Sequence, residues 1–363
     1  MRKGERHLPR SASRSSRGSD VRFAPGVSFL VIALLAGSAQ ASDRSQLRDR
    51  CWSPALLSGT LDEKKISKGI RTFDAPLPAM TLAPFAPVPK EWRGAIRRVK
   101  LPPGKKLVAL TFDMCETPGQ VTGYDAALVD YLRSNGIRAT FFSGGKWMRS
   151  HAERTQQLMA DPLFEMANHA EAHRNLRLLT GNALIEEIEG PQRSYEVQRA
   201  ALGARACVKG DASFASIPPR MGLFRFPFGA CNQAALDAVN DAGLLAIQWD
   251  LSTGDPVPAQ SAQAIADAML RAKPGAIIIG HSNGRGFNTA EALAIAIPQM
   301  KAKGYDFVTV SELLAQGTPE ISATCYDTRP GDTDKYDTFF KPRPAQVEHK
   351  PAEKTDESIA PAR

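Results

Sequence analysis

Several common features are scarce in this 363-residue sequence. It has no internal repeat, no glycine-rich phosphate loop and no apolar run long enough to cross a bilayer. Gly284-x-Gly286 alone is too weak a signal for nucleotide binding. The most apolar stretch, residues 27–36, is well below the roughly 20 residues that a spanning helix needs. The sequence therefore gives no support for a repeat protein, a P-loop enzyme or a protein with membrane-spanning helices.

A strong positive charge is also missing from most of the chain. The formal net charge is +8, but residues 1–41 carry seven basic and two acidic residues, which leaves +3 for the remaining 322 residues. A phosphate-binding surface needs a denser concentration of positive charge than this. We therefore expect no nucleic-acid partner.

Residues 1–41 are predicted to be a secretory signal peptide. An arginine- and serine-rich leader precedes the apolar run 27–36, and Ala39-Gln40-Ala41 follows as a cleavage site of small residues. The alternative is an uncleaved membrane anchor, which the short apolar run disfavours. We expect a periplasmic or secreted protein with no stable membrane span after processing.

Five cysteines in an extracytoplasmic compartment should be mostly paired. Cys51 could pair with Cys325 across the ends of the core, and Cys207 could pair with Cys231, which would leave Cys115 free. A bridge between Cys115 and Cys231 is a rival arrangement. The sequence does not choose among the fifteen ways of forming two bridges.

The pattern of apolar residues divides the rest of the chain into three parts. Residues 42–106 form a proline-rich extension, residues 107–316 alternate short apolar strands with amphipathic helices, and residues 317–363 form a largely disordered tail. Strands are predicted at 107–112, 139–143, 164–168, 223–227, 244–250, 275–280 and 306–310. Helices are predicted at 121–135, 147–160, 181–201, 233–242, 259–272, 288–303 and 311–316. Alternation of this kind indicates an α/β fold, here a distorted (β/α) barrel of about seven parallel strands.

Polar residues follow the ends of these predicted strands. Asp113 ends the first strand, in Thr111-Phe112-Asp113-Met114-Cys115-Glu116, and others follow later strands: His169, His173, Arg225, Asp255 and His281. A closed parallel sheet collects the carboxyl ends of its strands at one face. We therefore expect these side chains to converge on Asp113.

Each of these residues also has an ordinary structural explanation. An isolated His-x-x-x-His pair is more often a surface or capping pair than a metal site, and a lone aspartate at a strand end usually caps the next segment. Arg225 has apolar neighbours and needs a buried carboxylate, for which Asp113, Asp250 and Asp255 are candidates. His281 ends the most apolar strand and has a pKa suited to proton donation.

Taken together, the motifs are more specific than any one of them. Thr-Phe-Asp, His-x-x-x-His, Arg-x-Pro-x-Gly, Trp249-Asp250 with Asp255, and Ile-x-His occur in the order and spacing of the five motifs of polysaccharide deacetylases. The chain resembles this family, the NodB-homology carbohydrate esterases, over about residues 105–316. The resemblance implies a distorted (β/α) barrel that removes acetyl groups from an N-acetylated polysaccharide or glycan with one divalent metal ion, for which zinc is the expected choice.

The resemblance also implies roles for individual residues. Asp113 matches the general base, Arg225 the arginine that positions it, Asp255 the acid that tethers this arginine, and His281 the general acid. His169 and His173 match metal ligands. Four residues are expected to contact substrate: Ile279, Pro227, Gly229 and Trp249.

The chain departs from the family pattern at the metal motif. The family has a second aspartate as the third ligand, where this chain has Met114, a poor ligand for a hard or borderline cation. Glu116 is the predicted replacement, with water, the Cys115 sulfur or no metal as alternatives. Pro256 also replaces an aromatic residue that supports the sugar in the family.

Three hypotheses follow. The first is an exported metal-dependent deacetylase, with Asp113 as base and His281 as acid. The second, motivated by Met114 and Pro256, is a non-catalytic glycan-binding or envelope-assembly protein on a degenerate deacetylase barrel. The third is a thiol-assisted hydrolase that uses Cys115.

Overall fold

The computed structural model describes residues 44–82 and 85–339; the predicted signal peptide lies outside them. Its α-helices are α1 (44–51), α2 (Pro54–Leu57), α3 (Ala126–Ser134), α4 (Gly145–Ser150), α5 (Ala152–Ala160), α6 (Gly181–Gly203), α7 (Gln233–Asp241), α8 (Ala262–Met269), α9 (Thr289–Ala302), α10 (Val310–Leu314) and α11 (Tyr336–Phe339). Its strands are β1 (Ser67–Lys68), β2 (Ala95–Lys100), β3 (Leu107–Met114), β4 (Gln120–Val121), β5 (Ala139–Ser143), β6 (Phe164–Asn168), β7 (Leu223–Phe224), β8 (Leu245–Ile247), β9 (Leu251–Ser252), β10 (Ile277–His281), β11 (Asp306–Val308) and β12 (Thr318–Ser322).

The main sheet has the strand order β12-β2-β8-β7-β6-β5-β3-β10-β9, and β11 pairs with β3. Every pairing in it is parallel except that of β12 with β2. Parallel strands are covered on both faces and therefore consist of nearly continuous apolar residues. Strands β3, β5 and β10 have this composition, which is why the sequence predicts them well.

The sheet curls until β2, which is next to one end of the strand order, approaches β10, which is next to the other end. Strand β9 follows β8 after only three residues, although the two lie at different places in the strand order. Next to this junction, the Val99 amide on β2 donates a hydrogen bond to the carbonyl of Gly275, just before β10 (2.9 Å). The result is the distorted (β/α) barrel that the sequence predicts, with β2 and β8 on one side of the junction and β10 on the other.

The helices return the chain to the amino ends of the strands, so that the carboxyl ends gather at one rim. Four of the described helices begin at a capping side chain: Asp125 accepts a hydrogen bond from the Leu128 amide in α3, and Asn232, Ser261 and Thr309 cap α7, α8 and α10 in the same way. Such caps satisfy amide groups that a helix start otherwise leaves unbonded. The loops at the carboxyl rim are therefore held by well-defined helix starts.

The structure differs from the predicted domain limits at both ends of the barrel. Strand β2 lies within the predicted extension 42–106. Its buried Arg97 donates hydrogen bonds to backbone carbonyls that the local sequence does not reveal. The tail predicted from residue 317 contains β12 and continues as an ordered segment to residue 339. Hydrogen bonds and a disulfide hold that segment, so its polar composition does not make it disordered; residues 340–363 lie outside the described residues.

The disulfides join Cys51 to Cys207 and Cys231 to Cys325. Both suggested pairings, Cys51 with Cys325 and Cys207 with Cys231, are wrong. Cys51 ends α1, which packs near the turn after α6, where Cys207 lies and where Arg50 forms an ion pair with Asp211. Cys115 is free and buried. Among the described residues, no helix has both the length and the apolar character that crossing a membrane requires.

Candidate active site

The register of the sheet brings the predicted residues to one rim. His281 is the register partner of Asp113 in the pairing of β10 with β3, and Asn168 of β6 is the partner of Phe224 of β7. His169 and Arg225 are the next residues after those two strands. The four chemical groups that the sequence places at strand ends are therefore neighbours in space, as expected for parallel strands.

Asp113 and Arg225 form a buried ion pair at the centre of this rim. Arg225 Nη1 donates to Asp113 Oδ1 at 2.8 Å, and the remaining guanidinium donors point at the carbonyls of Ile247 and Gln248, both 3.3 Å away. The guanidinium also lies 3.9 Å above the ring of Phe142. Arg225 is fully buried, so each of its donors needs such a partner.

These contacts keep Asp113 ionised. Burial alone raises the pKa of the Asp113 carboxyl, but the neighbouring His169 and Arg225 lower it by more, so the pKa lies below its ordinary value. Oδ1 is occupied by Arg225, while Oδ2 lies 3.3 Å from Nε2 of His169. Asp113 therefore has one carboxylate oxygen held in place and the other directed to the histidines.

Asp255 does not contact Arg225, in contrast to the predicted tether. Its Oδ1 lies 2.9 Å from Nδ1 of His281, and its Oδ2 accepts hydrogen bonds from the His281 amide (2.7 Å) and the Thr289 hydroxyl (2.8 Å). The sequence offered three carboxylates for Arg225, and the register selects Asp113. Asp255 lies in the loop after β9, which runs beside β10, and so it meets His281.

The Asp255 contact changes the proton affinity of His281. Burial lowers the pKa of His281, but Asp255 raises it by more, so the pKa lies above its ordinary value. With Nδ1 bound to the carboxylate, Nε2 is the ring nitrogen that faces the cavity. His281 is therefore a protonated imidazolium over a wider pH range than a free histidine.

His169 and His173 are brought together by a tight loop, not by a helical turn. Ala170 and His173 both have left-handed backbone conformations, with φ of 65° and 53°. These conformations are strained for residues other than glycine and persist where the surroundings fix them, often at functional sites. The two imidazole rings lie 5.0 Å apart, between centroids.

The third member of this cluster is Cys115. One donor atom from each of Cys115, His169 and His173 lies within 4.8 Å of the others. His169 Nδ1 is hydrogen-bonded to the carbonyl of Arg225 (2.9 Å), which leaves its Nε2 buried and without a hydrogen-bond partner. Burial lowers the pKa of both histidines, that of His173 to well below its usual value, and so favours the neutral form of the rings that binds metal ions. Neutral imidazoles and a thiol at this separation fit a metal ion.

The structure does not bring Glu116 to this cluster. Its Oε1 accepts hydrogen bonds from the Thr122 amide (3.0 Å) and the Ser150 hydroxyl (2.7 Å), and the side chain is buried on the other side of the chain. Successive side chains of an extended chain point to opposite faces. Asp113 and Cys115 consequently face the rim, whereas Met114 enters the apolar core and Glu116 follows Met114.

The cavity above these groups has a volume of about 550 Å³ and includes Asp113, His173 and His281 in its wall. Trp249 and Ile279 line it as predicted, but Pro227 and Gly229 do not. They flank Phe228, which does line the cavity, and a Cβ on Gly229 would come within 2.9 Å of the Trp249 ring. Several other residues line the cavity without having been predicted from the sequence: Thr117, Gln120, Ser252, Arg285, Asp327 and Tyr336.

Phe228 lies inside the Arg-x-Pro-x-Gly motif and could have been selected from its position there. Asp327 and Tyr336 could not, because they belong to the segment that the composition described as a disordered tail.

Part of this chain is similar to known proteins. Residues 100–247 match the family model for polysaccharide deacetylase. A peptidoglycan-N-acetylglucosamine deacetylase from Bacillus cereus is 28% identical over 219 residues, which is 59% of this chain and 91% of that protein. A bifunctional xylanase/xylan deacetylase from Cellvibrio japonicus is 30% identical over 54% of this chain, but the match spans only 26% of that longer protein.

A solved structure of a peptidoglycan N-acetylglucosamine deacetylase matches with a TM-score of 0.50 and 23% identity, covering 62% of this chain and 96% of that one. At this identity, the structural match shows the shared fold. Together with the family-model match and the motifs at the barrel rim, it leads to one conclusion. Residues 100–247 of this chain belong to the polysaccharide deacetylase family.

Proposed function

We propose that this protein removes acetyl groups from an N-acetylated glycan by metal-assisted hydrolysis. The observation that carries the proposal is the buried Asp113–Arg225 pair, which lies beside a cluster of two histidines and a thiol, with Asp113 and His281 lining the same cavity. An amide is a poor electrophile, so its hydrolysis needs a base, an acid and a positive centre near the carbonyl. The proposed site offers all three.

His169, His173 and Cys115 are the proposed metal-holding residues. A divalent ion there would supply polarisation of the acetyl carbonyl and acidification of the attacking water. Imidazole and thiolate are the ligands that zinc prefers, and hard cations such as Mg²⁺ favour oxygen ligands instead. We therefore propose zinc, with Cys115 taking the place that Met114 cannot fill.

Asp113 is the proposed base. Arg225 fixes one carboxylate oxygen, and the other, which lies 3.3 Å from His169 Nε2, is the oxygen proposed to take the proton of the attacking water. The lowered pKa of Asp113 ensures that the carboxylate is ionised before the reaction begins.

His281 is the proposed acid. Asp255 fixes the ring through Nδ1 and raises the pKa of His281, which favours the imidazolium form whose Nε2 proton can be given to the departing amine. Asp113 and His281 are register partners on adjacent strands, which places base and acid on the same wall of the cavity.

We further propose that the substrate is an extracytoplasmic glycan such as peptidoglycan. Two disulfides indicate an oxidising compartment, and the relative from Bacillus cereus is named for peptidoglycan. The cavity is partly apolar, with Phe228, Trp249 and Ile279 in its wall, as a sugar ring and an acetyl methyl group require.

The test is acetate release from N-acetylglucosamine oligomers and from peptidoglycan by the zinc-loaded protein, together with Asp113→Asn and His281→Gln. Wild type should release acetate, and each variant should lose a factor of about 10²–10⁴ in kcat. Metal content measured in parallel should remain near one ion per chain in His281→Gln, which keeps every proposed ligand. Glycan binding by the metal-loaded protein without acetate release would instead favour the non-catalytic reading motivated by Met114.

A further inference from the structure

The segment 325–339 lies beyond the part of the chain that carries the five motifs, yet it is fastened to the barrel near the site. At its start, the disulfide to Cys231 joins it to the loop before α7. Arg97 of β2 then donates to the carbonyls of Tyr326 (2.6 Å) and Asp327 (2.7 Å), and its guanidinium lies 3.6 Å above the Tyr326 ring. These contacts fix the direction in which the segment leaves β12.

The middle of the segment is held by one carboxylate. Asp332 accepts hydrogen bonds from the amides of Asp327 (3.0 Å), Thr328 (2.8 Å) and Arg329 (3.0 Å). Burial alone raises the pKa of Asp332, but these amide donors outweigh it and lower the pKa to about 2. The turn is therefore closed by a carboxylate that stays ionised.

Arg177, in the turn that follows the histidine loop, fastens the far end. It forms ion pairs with Asp334 (2.5 Å) and Asp337 (2.9 Å), and the side-chain amide of Asn175 donates a hydrogen bond to Asp337 (2.9 Å). The segment thus spans from the strand pair β2 and β12 to the loop that carries His173. It closes one side of the cavity.

The side chains that this segment presents to the cavity are Asp327 and Tyr336. The Tyr336 ring lies 5.0 Å from the Phe228 ring at 32°, and Phe228 lies 4.4 Å from the ring of His173. Phe228 has φ of 61°, a conformation that a bulky residue adopts only where its surroundings impose it. Asp327 Oδ1 accepts a hydrogen bond from the Trp249 indole N–H (2.9 Å), so the segment is bonded to a residue of the barrel that also lines the cavity.

Aromatic rings beside a few fixed polar groups are suited to a flat ligand with one apolar face and polar edges. A pyranose ring is such a ligand, because its C–H groups gather on one face and its hydroxyls lie around the edge. Pro256 also lines the cavity but has no aromatic ring, so aromatic support for a sugar has to come from residues such as Phe228 and Tyr336.

We propose that the segment 325–339 is a substrate-binding wall that extends the site to a second sugar. Tyr336 and Phe228 pack against the ring adjoining the one that is deacetylated, and the free oxygen of Asp327 accepts a hydroxyl of that ring. The inference rests on the proposed function for the class of ligand, and it makes the substrate an oligomer. A single N-acetylated sugar occupies only the part of the cavity next to Asp113 and His281.

The experiment measures binding separately from catalysis. Asp113→Asn, which disables the proposed base, is titrated by calorimetry with N-acetylglucosamine and its oligomers of two to five units, in the presence of zinc. Affinity should rise from one sugar to two and longer. Adding Tyr336→Ala to this variant should reduce the gain in affinity for oligomers about tenfold, the loss expected for one aromatic contact. Adding Tyr336→Phe should retain the gain.

Arg177→Ala provides a second variant, because it releases Asp334, which precedes α11, and Asp337 within α11 without removing a residue that lines the cavity. It should weaken oligomer binding in the same direction, and thermal unfolding of each variant serves as the folding control. An unchanged gain with length in Tyr336→Ala overturns the proposed wall, as does the absence of oligomer binding by Asp113→Asn.

The outcomes also separate this inference from the proposed function. If Tyr336→Ala loses the rise in affinity with oligomer length and wild type releases no acetate, the wall is supported and the deacetylase is refuted. Acetate release by wild type with full oligomer affinity in Tyr336→Ala supports the deacetylase and refutes the wall.

Discussion

The buried pair of Arg225 and Asp113 makes a quantitative prediction about folding that is independent of activity. Arg225→Met removes the guanidinium from a site with no exposure to solvent and leaves the Asp113 carboxylate without its 2.8 Å partner. Breaking a buried pair in this way costs about 3–5 kcal/mol, because an uncompensated charge remains in the interior. We expect this loss in the free energy of unfolding at pH 7.

The assay is urea unfolding of the metal-free protein, with the midpoint and slope fitted for each variant. Asp113→Asn should also be destabilised, because it leaves the guanidinium with two long carbonyl contacts. The double variant Arg225→Met with Asp113→Asn leaves neither charge buried. Its loss in free energy of unfolding should be smaller than the sum of the losses of the two single variants, with a coupling energy of about 1–3 kcal/mol.

Asp255→Asn is the matched control for this cycle. The family resemblance implies that Asp255 tethers Arg225, whereas the structure pairs Asp255 with His281. The Arg225→Met and Asp255→Asn effects should therefore add to within about 0.5 kcal/mol. Additive effects for Arg225 with Asp113, or strong coupling of Arg225 with Asp255, would refute the arrangement described above.

Two further predictions concern the metal cluster and the acid. Cys115→Ser should weaken zinc binding by at least about 10–100-fold and remove the thiolate-to-metal absorption band of the cobalt form. Glu116→Gln should retain both the zinc affinity and the absorption band. The reverse pattern in cobalt titrations would restore Glu116 as the ligand. Asp255 raises the pKa of His281, so Asp255→Asn should lower that pKa and move the alkaline limb of the kcat profile to lower pH. An unmoved or upward-shifted limb would exclude His281 as the acid that Asp255 supports.

The parts of the fold that the sequence predicts correctly are those in which one apolar run makes one element. Strands β3, β5, β6 and β10 and the long helices α6 and α9 lie within a few residues of their predicted bounds. Strand β2 was missed because two adjacent arginines interrupt its apolar pattern, and one of them, Arg97, is satisfied only by residues more than 200 positions away.

The same distinction applies to the site. The positions of the strand ends are enough to predict that Asp113, the histidines and Arg225 converge. They are not enough to predict which of these residues bond to each other. Asp255 bonds His281 because the loop after β9 runs beside β10, a register that no local pattern reveals. The error over Glu116 was avoidable, because alternation along an extended chain already places Cys115 on the side of Asp113 and Glu116 on the side of Met114.

The disulfide pattern also has a consequence for how this chain is made. The bridges close loops of 156 and 94 residues, and the unpaired Cys115 lies inside the first of them. A chain that is oxidised as it emerges, from the amino end onward, exposes Cys51 and Cys115 together before Cys207 exists as a partner. Pairing in order of appearance would consume the thiol at the rim of the barrel. Correct maturation therefore depends on thiol exchange that reverses this early pairing, or on packing of β3 that hides Cys115 before oxidation reaches it.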